Sequence, residues 1–431
     1  MRAPPLDVYL FPAVIGGGLG DIAEVMDAGR WLERAGFRVR LFRAPGRPLP
    51  PSVDGPWDWP AVQVVESLHP RADRALTLTP VWGVSAAPGR REAYGRAGPW
   101  APEAAEIEHA YGPERTVHVS LEEFARTYSS AEENLERYRE GGVPAAEARR
   151  RAGSERGRRE RREWVGAFRL HRALDRPNVL HLMGAFDVSA RFAREFPEIR
   201  QVGPLWPRTY TRSESRHVGG RRSVLWYASP SSSAALVPGL ARGLTGLDPP
   251  VDLLLRSPRP VPIPAITGAR VELLSPIPTR LWRPRFRSAT LRIVTGSRSL
   301  LEALELGAPF LYFNGVLRPR GRPRRHRPEK VAALLRLFAR LNAASALRAD
   351  LRAFASGQRV AEVVRRAVED RSWRSGFPPL ERVQGAVPRG LGETLVAFAR
   401  EFATTSLPSA ELVAQERARP PRGPRDPVSK V

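Results

Sequence analysis

Short apolar runs alternate with stretches of helical periodicity through most of the chain, the pattern of strands that each hand over to a covering helix. Asp7–Phe11 reads as a buried strand and Phe37–Phe42 as the next. Between them Asp21–Ala35 reads as a helix with Ile22, Val25, Met26, Trp31 and Leu32 on its apolar face, ended by Gly36. Pro45–Pro60 is a proline-rich loop and Ala75–Trp82 a further strand. Periodicity is lost from Pro88 to Glu114, which predicts a long loop or insertion. Leu121–Arg139 and Pro144–Arg172 read as charged helices broken at Gly141-Gly142. Strands resume at Asn178–Met183, where His181 reads as a core residue, and at Arg200–Leu205, with a helix near Val188–Phe196.

The polar stretch Pro207–Arg222 has few large apolar residues and reads as a linker. Beyond it the rhythm repeats: strands at Ser223–Ala228, Val251–Arg256 and Val271–Ser275, a helix at Ser231–Leu244, and a strand–helix–strand unit over Leu291–Thr295, Leu300–Gly307 and Pro309–Asn314. Pro328–Phe354 is predicted to be one helix. Such alternation predicts parallel sheets covered on both faces. The expected division is a first domain over 1–206 with a basic helical insertion at about 85–172, a linker over 207–222, a second domain over 223–390, a closing helix over 391–405 and a disordered tail over 406–431.

Two turns stand out. Gly16-Gly17-Gly18-Leu19-Gly20-Asp21 and Thr295-Gly296-Ser297-Arg298-Ser299-Leu300-Leu301-Glu302 each follow a strand-like run and open a helix-like one. Each aims helix N–H groups at what lies beyond it, which predicts two α/β domains facing one cleft and a ligand that carries phosphate.

Composition narrows the chemistry. The 431 residues suffice for two cores, and 42% apolar content is ordinary. The absence of cysteine excludes a disulfide framework, a thiolate nucleophile and a cysteine-built zinc site. The seven histidines are scattered without a paired helix face, so neither a protein-bound metal nor a separate cofactor is expected. The apolar run Leu6–Gly20 contains Asp7 and Pro12 and is too short to span a bilayer, which leaves the cytoplasm as the default compartment. The formal charge is +24, and lysine occurs at 330 and 430 alone, so the basic residues are nearly all arginine, in clusters at 149–162, 318–327 and 417–425. No zinc-finger spacing or aromatic RNA-binding pattern accompanies them, which disfavours nucleic acid as a partner, while arginine forks suit phosphate.

The segment from Thr295 to Pro309 resembles the donor-binding signature of GT-B-fold glycosyltransferases, among them UDP-glycosyltransferases and the lipid-II-forming N-acetylglucosaminyltransferases, with Gly296, Ser299, Glu302, Gly307 and Pro309 on the signature positions. The resemblance implies two Rossmann-like domains, a nucleotide-sugar donor, diphosphate contacts at Gly296 and Ser299, and ribose contacts from Glu302 on a surface-facing turn. Val294 stands where plant-type members carry histidine and where retaining relatives carry glutamate, which implies inversion. The sugar-gripping Asp-Gln pair of plant enzymes is replaced by Arg318-Pro319-Arg320-Gly321-Arg322-Pro323-Arg324-Arg325-His326-Arg327-Pro328-Glu329-Lys330. Its Arg327-Pro328-Glu329 triplet is similar to one in UDP-N-acetylglucosamine 2-epimerases, which makes an epimerase the alternative activity and Glu329 a donor-site candidate, alongside His326, flanked by arginines, and Arg325, a guanidinium suited to the leaving diphosphate.

The first turn is similar to Gly-Gly-Leu-Gly-Asp of glycogen synthases and to the Gly-Asp pair of heptosyltransferases, and macrolide-type enzymes place a histidine at the position of Asp21. This implies that Asp21 is the general base for an acceptor hydroxyl, with Gly17, Gly18 and Gly20 admitting the donor phosphates closely. A plain helix-capping role for Asp21 stays open. Ser231 and Ser232 follow the first strand of the second domain, where relatives contact the donor phosphates, and they equally suit a helix start. Ser297 and Arg298 complete the expected donor site, where helix amino ends and arginines stabilise the leaving diphosphate. The acceptor is not identified. A lipid-linked acceptor is one expectation, because Arg149–Arg162 beside Trp164, Val165, Phe168 and Leu170 suits an anionic membrane surface as well as a solvated insertion. A non-catalytic anion- or nucleic-acid-binding protein is the remaining alternative.

Overall fold

Among the described residues the strands are short and pair with parallel neighbours, and those at the centre of each sheet are buried while β3 and β10 at the edges are largely exposed. A computed structural model describes residues 6–11, 20–42, 62–80, 102–122, 145–153, 177–186, 193, 197, 199–207, 222–227, 230–256, 265–267, 269–274, 279–313 and 328–419. Two units account for them.

The first unit contains β1 (Asp7–Leu10), α1 (Gly20–Arg34), β2 (Arg38–Phe42), β3 (Gln63–Val65), β4 (Ala75–Pro80), α2 (Pro102–Tyr111) and β5 (Thr116–Glu122). Helix α3 (Ala145–Gly153) straddles the division between the units; β6 (Val179–Gly184) and β7 (Ile199–Val202) complete the sheet. Its order is β3-β2-β1-β4-β5-β6-β7, parallel throughout, with Val8 of β1 opposite Val39 and Leu76. All four residues of β1 are buried, the condition under which a strand is apolar without alternation.

The second unit contains β8 (Ser223–Tyr227), α4 (Pro230–Leu244), β9 (Val251–Arg256), β10 (Ala269–Leu274), α5 (Thr279–Ser288), β11 (Leu291–Val294), α6 (Ser297–Glu305) and β12 (Phe310–Tyr312). Five helices follow: α7 (Pro328–Arg340), α8 (Ser345–Ala355), α9 (Val360–Glu369), α10 (Arg371–Ser375) and α11 (Leu380–Gly385). The sheet order is β10-β9-β8-β11-β12, again all parallel. Both sheets therefore have the same plan: the chain steps outward from β1 or β8 on one side, then returns to the other side at β4 or β11.

Residues from Val387 onward return to the first unit as α12 (Leu391–Thr404) and α13 (Ser409–Ala418). Leu391 N–H donates to the Gly203 carbonyl at 2.9 Å, Gly203 N–H to the Arg389 carbonyl at 2.8 Å, and Trp31 Nε1 to the Trp206 carbonyl at 2.9 Å. Helix α12 lies against α1 so closely that a methyl on Gly392 would stand 2.4 Å from the Trp31 ring.

The structure corrects the sequence reading in several places. The tail was expected to be disordered from 406, but α13 forms there, burying Leu412 and Val413 and anchoring Ser409 Oγ on the Glu114 carbonyl at 2.7 Å. The stretch over 85–172 is not simply an insertion, since Thr116–Glu122 is the fifth strand of the first sheet and α2 occupies part of the expected loop; Leu121 and Glu122 are strand residues, not helical ones. The helix expected over 328–354 is two helices, divided where Asn342 takes a left-handed conformation at φ 56°. Of the helix expected near 188–196 only residue 193 is described, and it is helical; the aromatic residues of 164–170 lie outside the described residues.

Candidate functional site

In open parallel sheets the place where strand order reverses leaves a crevice at the carboxyl ends of the strands flanking it. In the second unit that place is the end of β8 and β11, and the turn out of β11 is well defined. Thr295 Oγ1 donates to the Tyr227 carbonyl at 3.0 Å, tying the ends of the two strands together. Gly296 is extended, at φ −100° and ψ 163°, and α6 begins at Ser297. Ser299 Oγ accepts the Gly296 N–H at 3.2 Å and donates to the Gly296 carbonyl at 3.1 Å, so the side chain closes the turn from inside. The glycine is not demanded by the backbone, because its φ suits any residue, nor by crowding, because a Cβ there would meet only Ser299 Oγ, at 3.6 Å. The space beside the backbone at this turn is one that a ligand can approach closely.

Along α6, Arg298 Nε donates to Glu302 Oε1 at 3.1 Å, one turn further on. Glu302 is 7% exposed, so it is buried and ion-paired where a surface-facing position was expected. Gly307, another signature residue, ends the helix at φ 59°, with its N–H on the Leu304 carbonyl at 3.0 Å. Its place in the signature thus has a backbone cause, since the left-handed conformation favours glycine.

The sequence reading missed Lys330. It stands in the first turn of α7, 5% exposed, and its Nζ donates to Ser297 Oγ, so the amino ends of α6 and α7 meet through one side-chain bond. Only its rarity signalled it: it is one of two lysines in the chain.

Asp21 lies in the first turn of α1 and Gly20 opens that helix, after β1, which flanks the reversal point of the first sheet. Ser231 and Ser232 lie in the first turn of α4, after β8. Glu329 precedes Lys330 at the start of α7. The side chains of Asp21, Ser231, Ser232 and Glu329 lie outside the described residues, as do Gly17, Gly18, Arg325 and His326 altogether. Of the arginine clusters, Arg149 and Arg150 are exposed, whereas Arg417 and Arg419 are half-buried, Arg417 donating to the Val179 carbonyl and Arg419 to Glu416 Oε2 at 2.7 Å and Glu401 Oε1 at 2.5 Å.

A second polar constellation lies at the opposite, amino ends of the first sheet's strands. His118, fully buried, has Nδ1 2.7 Å from Thr77 Oγ1 and Nε2 3.1 Å from Glu108 Oε1, which also accepts from Asn178 Nδ2 at 2.9 Å. Asp7 accepts from Arg40, from Tyr111 Oη at 2.7 Å and from the N–H groups of Arg71 and Ala72 at 2.9 and 3.1 Å. The hydroxyl, imidazole and carboxylate at Thr77, His118 and Glu108 copy the order of a hydrolytic triad, but the imidazole has no exposure to a substrate. They satisfy one another and hold α2 on the sheet. His181, expected in the core, is buried in β6.

Among the described residues no group of three or more histidine, aspartate or glutamate side chains is placed to hold a metal ion, and no helix is long and apolar enough to cross a membrane. Neither a protein-family model nor a curated protein matches the chain. Among solved structures it is similar to Phytolacca americana UGT2 complexed with UDP-2-fluoro-glucose and pterostilbene, at 13% identity, 96% of this chain, 100% of that one and a TM-score of 0.44. It is similar to the calicheamicin glycosyltransferase CalG4 at 14% identity, 97% and 99% coverage and a TM-score of 0.41. It is also similar to Acinetobacter baumannii MurG at 12% identity, 85% and 95% coverage and a TM-score of 0.37. The described residues form two α/β units, each built on an all-parallel sheet.

Proposed function

We propose that this chain is a glycosyltransferase that moves a sugar from a nucleotide-sugar donor, a UDP-sugar, to an acceptor hydroxyl with inversion. The observation that carries the reading is the coincidence of the glycine-led turns with the two reversal points: Gly296, Ser297 and Ser299 after β11, and Gly20 with Asp21 after β1. In this reading the amino ends of α6 and α4, with Arg298, hold the donor diphosphate, and Glu302, positioned by Arg298, accepts from the ribose. Asp21 takes the proton of the acceptor hydroxyl as its oxygen attacks the anomeric carbon, and the bond from that carbon to the diphosphate breaks. Negative charge then grows on the leaving oxygen, where helix N–H groups and guanidiniums stabilise it.

The test is a thermal-shift and turnover panel of nucleotide sugars against the parent protein and Asp21→Asn. The parent is expected to be stabilised by one nucleotide family, because a ligand bound only by the folded state raises the midpoint. Asp21→Asn keeps that stabilisation and loses about 10²–10⁴-fold in turnover. No stabilisation by any nucleotide sugar overturns the reading, and conversion of a free UDP-N-acetylhexosamine without an acceptor replaces it with an epimerase.

A further inference from the structure

The bond between Lys330 and Ser297 has a direction. An ammonium carries three donors and no acceptor, so Ser297 Oγ is the acceptor and its own hydrogen points elsewhere. That hydroxyl sits at the first position of α6, half-buried, beside the open space at Gly296 and among N–H groups that also only donate. A lysine in this place also runs against helix electrostatics, because cations are disfavoured at helix amino ends and Lys330 stands near two of them. In a chain that uses arginine almost everywhere else, the compact ammonium lies more than nine-tenths buried against a serine that arginine's broad fork would crowd.

We propose that Lys330 is a positioning residue for the donor: it fixes Ser297 as a hydrogen-bond donor and so tunes the amino end of α6 to an acceptor-only ligand group, the fully ionised phosphate of a nucleoside diphosphate. This rests on the nucleotide-sugar reading of the same turn. The charged neighbours on α6, which are Arg298, Glu302 and Glu305, and those on α11 packed against it, Glu381 and Arg382, are carboxylates and guanidiniums. A terminal phosphate passes from monoanion to dianion at about pH 6, so the charge of the ligand changes within pH 5.5–8.

Calorimetric titration of the full chain with uridine 5′-diphosphate from pH 5.5 to 8 tests this. The parent is expected to bind more tightly as pH rises through about 6. Lys330→Met, which keeps length and loses the donors, is expected to bind about 10- to 100-fold more weakly at pH 7.5, the effect of losing a charge-assisted contact, and with a flattened pH profile. Ser297→Ala is expected to flatten the profile in the same sense while keeping the lysine, and it carries the test if Lys330→Met does not fold. A parent that binds no diphosphate at any pH removes the nucleotide reading itself. Binding in the parent with an unchanged constant in both variants overturns the role of Lys330 and leaves that reading standing. Weaker binding with an unchanged pH profile shows a general positive charge instead, and also overturns it.

Discussion

One helix contact in each unit shows a different balance of polar and ring packing, though Tyr9 and Tyr111 also meet edge to face in the first and Asp350 accepts from Arg366 and Trp373 in the second. In the first, α2 is tied to the sheet through ionised and hydroxyl groups: Asp7 with Arg40 and Tyr111, and Glu108 with His118 and Asn178. In the second, the helices over β12 are held by rings. Phe310 lies 6.2 Å from Phe338 and 5.2 Å from Phe377 between centroids, and Trp373 lies 5.2 Å from Phe377. A ring cluster loses stability in proportion to the contact removed, whereas a buried polar network fails as a whole when one member leaves the others unpaired.

The largest expected effect is therefore in the first unit. Asp7→Ala leaves the Arg40 guanidinium buried beside a void and is expected to cost about 3–5 kcal/mol in denaturant unfolding of that unit. A cost below about 1 kcal/mol would mean that the network contributes little and the contrast fails. Next comes pH. Burial, with hydrogen bonds to Tyr9 and Asp7, holds the Tyr111 phenol well above its ordinary range. The folded state thus keeps a proton that the unfolded chain releases at about pH 10, so this stabilisation is complete below pH 10 and is lost as pH rises beyond it, by up to about 1.4 kcal/mol per pH unit. Tyr111→Phe is expected to reduce that alkaline slope, measured as unfolding midpoint against pH; an unchanged slope would sever Tyr111 from the network. The smallest effect belongs to the second unit, where Phe338→Leu keeps an apolar side chain in the cluster and is expected to cost about 1 kcal/mol.

The same contrast decided what the sequence could tell. The strands of the second unit are legible because Val251–Arg256 and Leu291–Val294 are dominated by branched apolar residues, so burial and composition agree. Strand β5, Thr116-Val117-His118-Val119-Ser120-Leu121-Glu122, was passed over because half of it is polar, and the partners that allow His118 inside, Thr77 and Glu108, stand 41 and 10 residues away. Helix α13 was lost for a like reason: the carbonyls and strands it docks on belong to the far end of the chain. At the candidate site the turn Gly296–Glu302 was readable as a local pattern. Lys330 was not, because its bond to Ser297 spans 33 residues and a charged side chain in the first turn of a helix otherwise reads as solvated.

The return of residues 387–419 to the first sheet inverts the order in which the protein can be finished on the ribosome. The seven strands emerge first, yet the face of α1 that receives Gly392 stays bare until α12 has been made. Translation at ~5–20 residues per second puts about 10–40 s between β7 and the end of α12. The five strands of the second unit's sheet, β8 to β12, are encoded wholly within that interval and can pair before α12 is made. The half of the protein that is written first is thus completed last, and Trp31, waiting for its glycine, is the apolar surface that a nascent-chain chaperone would meet.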